Sequence, residues 1–303
     1  MINIASPVIE EEERRAVNEV IESGMLAQGP KVAELEENWA KYCGVKHALA
    51  VNSGTAAIHC ALYAAGVGEG DEVITTPYSF IATINPILML GARPVLVDID
   101  EETFNIDVSK IEAAITDKTK AIIPVDLYGQ PCDWKELREI ADKHELKIIE
   151  DACQAIGAEY DGVKTGALGD FGCFSLYATK NIMCGEGGVV TTNSDDAAAA
   201  IRSFRQHGMT SSYEYADLGY NYRMSDLHGA IAVEQLKKVE DFTNRRQHNA
   251  NMLNEALAGI EKIVLPKIAS NRNHVYHQYT ILLDKSIRRD DFIAKLREKG
   301  IVK

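Results

Sequence analysis

Between residues 45 and 192, short apolar runs alternate with amphipathic stretches, and this limits the chain to few architectures. The runs are Ala48–Val51, Glu72–Thr76, Pro94–Asp98, Ala121–Val125, Lys147–Asp151, Phe171–Leu176 and Gly187–Thr192. Most are apolar throughout, which suits strands covered on both faces of a largely parallel sheet. Helical patterns lie between many of them: Thr55–Ala65, Phe80–Leu90, Val108–Ala114 and Asp133–His144. Parallel neighbours need such crossovers, so the pattern predicts an open α/β sheet with helices on both faces. The last two runs are too close for a helical crossover, so at least one strand is expected to run antiparallel. Beyond residue 194 helix dominates. Asp226–Leu257 reads as one long helix, Tyr276–Leu283 as a strand and Arg289–Lys299 as a helix. There is no internal repeat and no low-complexity linker.

A chain of 303 residues can bury one large core and a smaller domain. Residues 1–240 are expected to form the large domain, and 241–303 the start of a small α+β domain. The net charge of −13 repels phosphate backbones, which argues against nucleic acid as a partner. An anionic small molecule would need local donors such as helix N-termini, Lys or Arg. The six cysteines form no C-x-x-C pair, and several sit in apolar patterns. They read as reduced core thiols of a cytoplasmic protein, with no metal site and no disulfide. The first twenty residues are acidic and amphipathic and lack the pattern of a signal peptide. No apolar run approaches the roughly 18 residues of a membrane span.

Three side chains at strand ends carry the chemistry. Asp151 closes Lys147–Asp151, Ser175 lies at the end of Phe171–Leu176, and Lys180 follows closely. In open α/β sheets ligands bind at the carboxyl ends of strands. An amine, a carboxylate and a hydroxyl there are the groups that pyridoxal phosphate chemistry requires. The amine condenses with the aldehyde, the carboxylate pairs with the pyridinium nitrogen, and the hydroxyl helps hold the phosphate. Asn52-Ser-Gly-Thr55 joins a strand to a helix. Gly54 permits close approach there, and the helix N-terminus favours an anion, although an ordinary N-cap reads the same way. Gln154 can reach the ring oxygen or stand as a loop amide. Phe80 can stack on a ring or pack in the core. In Asn221-Tyr-Arg-Met-Ser-Asp226, Ser225 or Asp226 is expected to cap the next helix, leaving Asn221 and Arg223 as possible ligand contacts.

Together these segments resemble the DegT/StrS family of sugar-nucleotide aminotransferases of fold type I. The resemblance rests on Ser53-Gly-Thr55, Pro77-Tyr-Ser-Phe80, Glu150-Asp-Ala-Cys-Gln154, Phe174-Ser-Leu-Tyr-Ala-Thr-Lys-Asn181, Glu186-Gly-Gly188 and Gly219-Tyr-Asn-Tyr-Arg-Met-Ser-Asp226. It implies a mostly parallel seven-stranded sheet and pyridoxal phosphate carried on Lys180. Asp151 would pair with the ring nitrogen, Gln154 would contact the ring oxygen, and Phe80 would lie on the ring face. Gly54, Thr55 and Ser175 would hold the phosphate, with Asn221 reaching it from the partner of a homodimer. Gln28-Gly-Pro30 resembles the family's loop near the sugar. The implied reaction moves an amino group from an amino acid, L-glutamate by resemblance, to a nucleotide-linked keto-deoxyhexose. Pathways of this kind make polysaccharide and antibiotic sugars. Two rivals are a dehydratase of the same fold, in which His replaces the lysine, and a non-catalytic regulatory or binding protein. Lys180 argues against the first. Family members usually continue past Tyr276–Lys299, so the chain is expected to be truncated, with an incomplete sugar site and weaker turnover than cofactor binding.

Overall fold

The computed structural model describes residues 5–301; Met1–Ile4, Val302 and Lys303, with any expectation that touches them, lie outside it. The chain opens with helices α1 (Glu11–Ser23) and α2 (Pro30–Cys43). Then come β1 (His47–Val51), α3 (Gly54–Ala64), β2 (Glu72–Thr75), α4 (Asn85–Met89), β3 (Arg93–Leu96) and β4 (Thr119–Ile122). Next are α5 (Trp134–Lys143), β5 (Lys147–Asp151), β6 (Phe171–Ser175), β7 (Gly188–Thr192) and α6 (Asp195–Phe204). Helices α7 (Asp226–Leu236), α8 (Val239–Leu257) and α9 (Arg289–Glu298) follow.

The seven strands form one sheet in the order β1-β7-β6-β5-β4-β2-β3. β7 alone runs against its neighbours, pairing antiparallel with both β1 and β6. The remaining pairs, β6-β5, β5-β4, β4-β2 and β2-β3, are parallel. Because strand side chains alternate faces, each central strand feeds two cores. Leu49, Val51, Phe171 and Cys173 pack with α3 and α6 on one face, among them Ile58, Leu62 and Ile201. Ala48, Ala50 and Phe174 pack with α2 and α7 on the other, where the Trp39 ring meets Phe174 edge-on at 5.2 Å. A third cluster joins Ile74, Ile122 and Ile148 to Trp134 and Leu137 of α5.

Four expected elements differ. Phe80–Leu90 is a 3₁₀ turn at Ile81–Thr83 followed by α4, because Pro86 lacks an N–H and starts a new first turn. Val108–Ala114 is two 3₁₀ turns, Val108–Lys110 and Glu112–Ala114, pinned by one buried apolar side chain, Ile111. The long helix breaks between α7 and α8, where the Lys238 ammonium bonds Glu10 at 2.8 Å and Glu13 at 2.8 Å. Tyr276–Leu283 is largely irregular. Only Leu282–Leu283 pairs, with Ile263–Val264, and Tyr276 adopts a left-handed φ of 47° that ends any extended run. That segment is held by side chains and loops from elsewhere: Val275 N–H donates to the Gly129 carbonyl at 2.9 Å, and Arg246 donates to the Tyr276 carbonyl at 3.2 Å. Among the described residues no helix is long and apolar enough to cross a membrane.

Candidate active site

Sheet register brings the chemical groups to one edge. Gly188 opens the reversed β7, and it pairs with Val51 at the end of β1 and with Ser175 at the end of β6. Asp151 ends β5 opposite Cys173. The turn Asn52–Ser53, Ser175 and Asp151 therefore sit at neighbouring strand ends, where parallel sheets place ligands.

The contact at Gly54 is tight. A Cβ there would lie 2.8 Å from Ser175 Cβ and 3.1 Å from Cys153 Sγ, so only glycine fits. Ser53 caps α3, its hydroxyl accepting from Ala56 N–H at 3.1 Å. Both readings of this turn hold at once, because capping uses the Ala56 N–H. The earlier N–H groups of Gly54 and Thr55 are those a helix cannot pair internally. They face the anion-favouring end of the helix dipole, beside the Ser175 hydroxyl. Gly188 supports the turn from below, since a Cβ on it would meet the Ser53 carbonyl at 2.3 Å.

Asp151 is 4% exposed and its carboxylate is held at both oxygens. Thr83 Oγ1 donates to Oδ2 at 2.8 Å, and Cys153 N–H donates to Oδ1 at 3.2 Å. Gln154 Oε1 accepts from Tyr128 N–H at 2.9 Å, which leaves its amide hydrogens as donors. Tyr128 itself adopts a left-handed φ of 59° and bonds Tyr78 through the two hydroxyls at 3.0 Å.

Lys180 lies in the loop after β6, in a turn closed by its own N–H donating to the Tyr177 carbonyl at 2.9 Å. Its charge is close enough to be felt by both Cys153 and His277. The next residue, Asn181, is buried and donates Nδ2 to the Val275 carbonyl at 3.4 Å. Its Oδ1 then accepts from His277 Nδ1 at 3.0 Å, which fixes the imidazole with Nδ1 protonated and Nε2 as an acceptor. Burial, then the Lys180 and Arg246 charges, push His277 down to about 3. A cavity of about 300 Å³ opens beside Lys180 and Asn181, and it is also lined by Arg245, Arg246 and Asn249 of α8.

Two expected residues stand apart from this buried group. Phe80 is 70% exposed at the start of the Ile81–Thr83 turn. Asn221 is exposed, and its carbonyl accepts from Asn52 Nδ2 at 3.3 Å, on the flank of the Ser53–Gly54 turn. Of the two expected caps, Ser225 caps α7, accepting from His228 N–H at 3.4 Å. Asp226 instead accepts from Gly29, Lys31 and Val32 N–H groups at the start of α2, fixing the Gln28–Pro30 loop. Thr83, Tyr128, Asn181 and His277 were not foreseen. Only Asn181, adjacent to Lys180, carried any local signal; His277 is 96 positions from its partner. The cysteines are all free, with five buried and Cys153 partly exposed beside Asp151.

These residues fit a phosphorylated aldehyde cofactor with a ring nitrogen. A helix N-terminus and a hydroxyl form a cradle that a single Cβ would fill, a fixed carboxylate lies close by, and an amine stands beside them.

The chain matches the DegT/DnrJ/EryC1/StrS aminotransferase family over residues 7–303. It is 43% identical over 306 residues to GDP-perosamine synthase of Caulobacter vibrioides, spanning 99% of this chain and 82% of that one. Among solved structures it superposes on DesV of S. venezuelae with a TM-score of 0.92 at 37% identity, covering 96% of this chain and 78% of that one. The PLP form of the sugar aminotransferase Spr1654 from Streptococcus pneumoniae gives 0.93 at 30% identity, covering 98% and 82%. The expected class, fold type I with a mostly parallel seven-stranded sheet, agrees with these neighbours.

Proposed function

We infer, because the chain belongs to the DegT/DnrJ/EryC1/StrS aminotransferase family and is a pyridoxal-phosphate-dependent sugar aminotransferase, that it carries an amino group from L-glutamate to a nucleotide-linked keto-deoxyhexose. The observation that supports this most is the meeting of Gly54, Ser175 and Asp151 at adjacent strand ends, with Lys180 on the following loop. The relatives named for sugar products point to the same acceptor class.

When bound, the cofactor supplies an aldehyde that condenses with amines and a ring that withdraws electrons from the reacting carbon. Lys180 is the amine that would hold the aldehyde carbon, and its amino group would serve as the base that moves a proton at the substrate carbon. Asp151, clamped by Thr83 and the Cys153 N–H, keeps a proton on the ring nitrogen. Gln154 would offer an amide hydrogen to the ring oxygen, and Phe80 would turn toward the ring face when the cofactor is bound. The Gly54 and Thr55 N–H groups and the Ser175 hydroxyl would bind the phosphate. Arg245 and Arg246 give an otherwise acidic chain a local cationic wall beside Lys180, which suits an anionic sugar nucleotide.

The unit that works is a homodimer. Phe80, Tyr177 and Leu218 are exposed at 70%, 47% and 69%, and a second copy would cover such side chains around the strand-end edge. Asn221 would then reach the partner's phosphate. The test incubates purified protein with the cofactor, glutamate and a panel of nucleotide keto-sugars. Formation of 2-oxoglutarate dependent on one keto-sugar is expected. Turnover with no keto-sugar, or only with another amino donor, would replace this assignment.

A further inference from the structure

Glu150 immediately precedes Asp151 on β5, and Asp126 lies in the turn after β4. Neither has any solvent exposure. One oxygen of each is satisfied: Glu150 Oε2 accepts from Gly166 N–H at 2.8 Å, and Asp126 Oδ1 from Cys132 N–H at 2.8 Å. The other two, Glu150 Oε1 and Asp126 Oδ2, are buried and have no hydrogen-bond partner among the described residues. The two carboxyl groups are close enough to act on each other's protonation. Two carboxylate oxygens can bond only through a proton between them.

Among the described residues no cation neutralises the pair. Arg272 is engaged by Asp133 and the Pro131 carbonyl, and Lys164 by Glu159 and Glu240. The thiols of Cys43, Cys132 and Cys173 face the pair from α2, the β4–α5 loop and β6, and burial keeps them neutral. The remaining charge is the Asp151 carboxylate, which repels a second anion at Asp126. Asp126 is also stitched to Asp151 through the backbone. Its N–H donates to the Asp151 carbonyl at 3.1 Å, and the Asp151 N–H donates to the Pro124 carbonyl at 2.9 Å.

We propose that Asp126 and Glu150 share one proton at neutral pH and that the pair positions Asp151 without placing a second bare carboxylate beside it. The positioning half rests on the reading of Asp151 as partner of the cofactor's ring nitrogen. Burial supports the shared proton, raising Asp126 to about 7 and Glu150 well above the usual carboxylate range. An acid raised in the folded state contributes stability that is present at low pH and lost as pH rises through its folded value.

The test measures unfolding of the holoenzyme in urea from about pH 6.5 to 8.5 and compares slopes between variants, so that the titration of the other groups, the histidines included, cancels. In wild type the pair should weaken folding by up to tenfold in the equilibrium constant per pH unit, one proton's worth. Glu150→Gln keeps both hydrogen bonds, since its amide donates to Asp126 and its oxygen accepts from Gly166, but carries no proton to lose. Its slope should be smaller, and the infrared band of a buried protonated carboxyl should vanish with it. A wild type without that band at neutral pH, or a Gln variant keeping the wild-type slope, overturns the shared proton. For positioning, Glu150→Ala should raise the cofactor dissociation constant about tenfold, and Gln should restore most of it. An Ala variant that folds and binds cofactor as wild type does overturns that half; should Ala not fold, Gln still decides the shared proton. Wild-type turnover by Asp151→Asn would remove the reading of Asp151 while leaving slope and band intact.

Discussion

At the scale of single residues, Lys180 and Asp151 have the simplest tests. Lys180→Ala should abolish the covalent adduct trapped by borohydride; an adduct that persists and maps to another lysine, such as Lys164, would move the assignment. Asp151→Asn keeps the shape that Thr83 and the Cys153 N–H hold, but removes the charge. It should retain some cofactor and slow turnover by roughly two orders of magnitude or more, because the electron-withdrawing ring then lacks its proton. Buried histidines set the acid limit. Burial pushes His59 and His274 down to about 4 and His277 to about 3. Each is below the ordinary value of about 6.5, so the unfolded chain takes up these protons first as pH falls. Their contribution is therefore full above about pH 6.5 and lost on acidification toward pH 4. His59 sits in a ring of Tyr220, Tyr222 and Phe204, and its Nε2 is buried without a partner among the described residues. His59→Phe should reduce the slope of stability against pH by about one proton between pH 4.5 and 6.5, read from urea midpoints. An unchanged slope would mean that His59 does not stay neutral.

At the scale of elements, two joints decide the shape of the edge. The first is the crossing of β7 under the Ser53–Gly54 turn. Alanine at Gly188 cannot fit 2.3 Å from a backbone carbonyl, so Gly188→Ala should push the turn outward. The cofactor dissociation constant should rise by roughly tenfold or more, with far-ultraviolet dichroism retained. Wild-type affinity in that variant would show that the turn does not position the phosphate. The second joint is Asp226, whose carboxylate accepts three N–H groups at the head of α2 and is 2% exposed. Asp226→Ala leaves those donors unsatisfied and should cost about 2–3 kcal/mol, measured as a lower urea midpoint at constant m value. A loss under about 0.5 kcal/mol would mean that water replaces the carboxylate.

At the scale of the whole molecule, the strand-end edge is flanked by exposed Phe80, Tyr177 and Leu218. A two-fold dimer with exchanged contacts predicts complementation. Asn221→Ala should weaken cofactor binding with little loss of fold. Mixed with inactive Lys180→Ala, it should recover activity, because one of the two hybrid sites keeps both residues. No recovery after verified subunit exchange would count against a shared site.

Periodicity is local, so the alternation of apolar runs and helices was enough to set the sheet class. Six of the expected strands fall within a residue or two of β1, β2, β3, β5, β6 and β7 at both ends, for the same reason. Gly54, Asp151, Ser175 and Lys180 could also be placed near one another from the chain alone, since a parallel sheet aligns its carboxyl ends. Local pattern could not show where packing overrode it. Pro86 and Lys238 break helices whose apolar spacing runs straight through, and the turn at Tyr276 replaces a strand with a docked loop. Nor could it pair Thr83 with Asp151, 68 positions apart, or Asn181 with His277, 96 apart. Those bonds exist because burial leaves each polar group only the partners that the folded chain brings within reach. Sequence determined which groups reach the edge, and tertiary structure decided which of them are clamped, which stay neutral and which must share a proton.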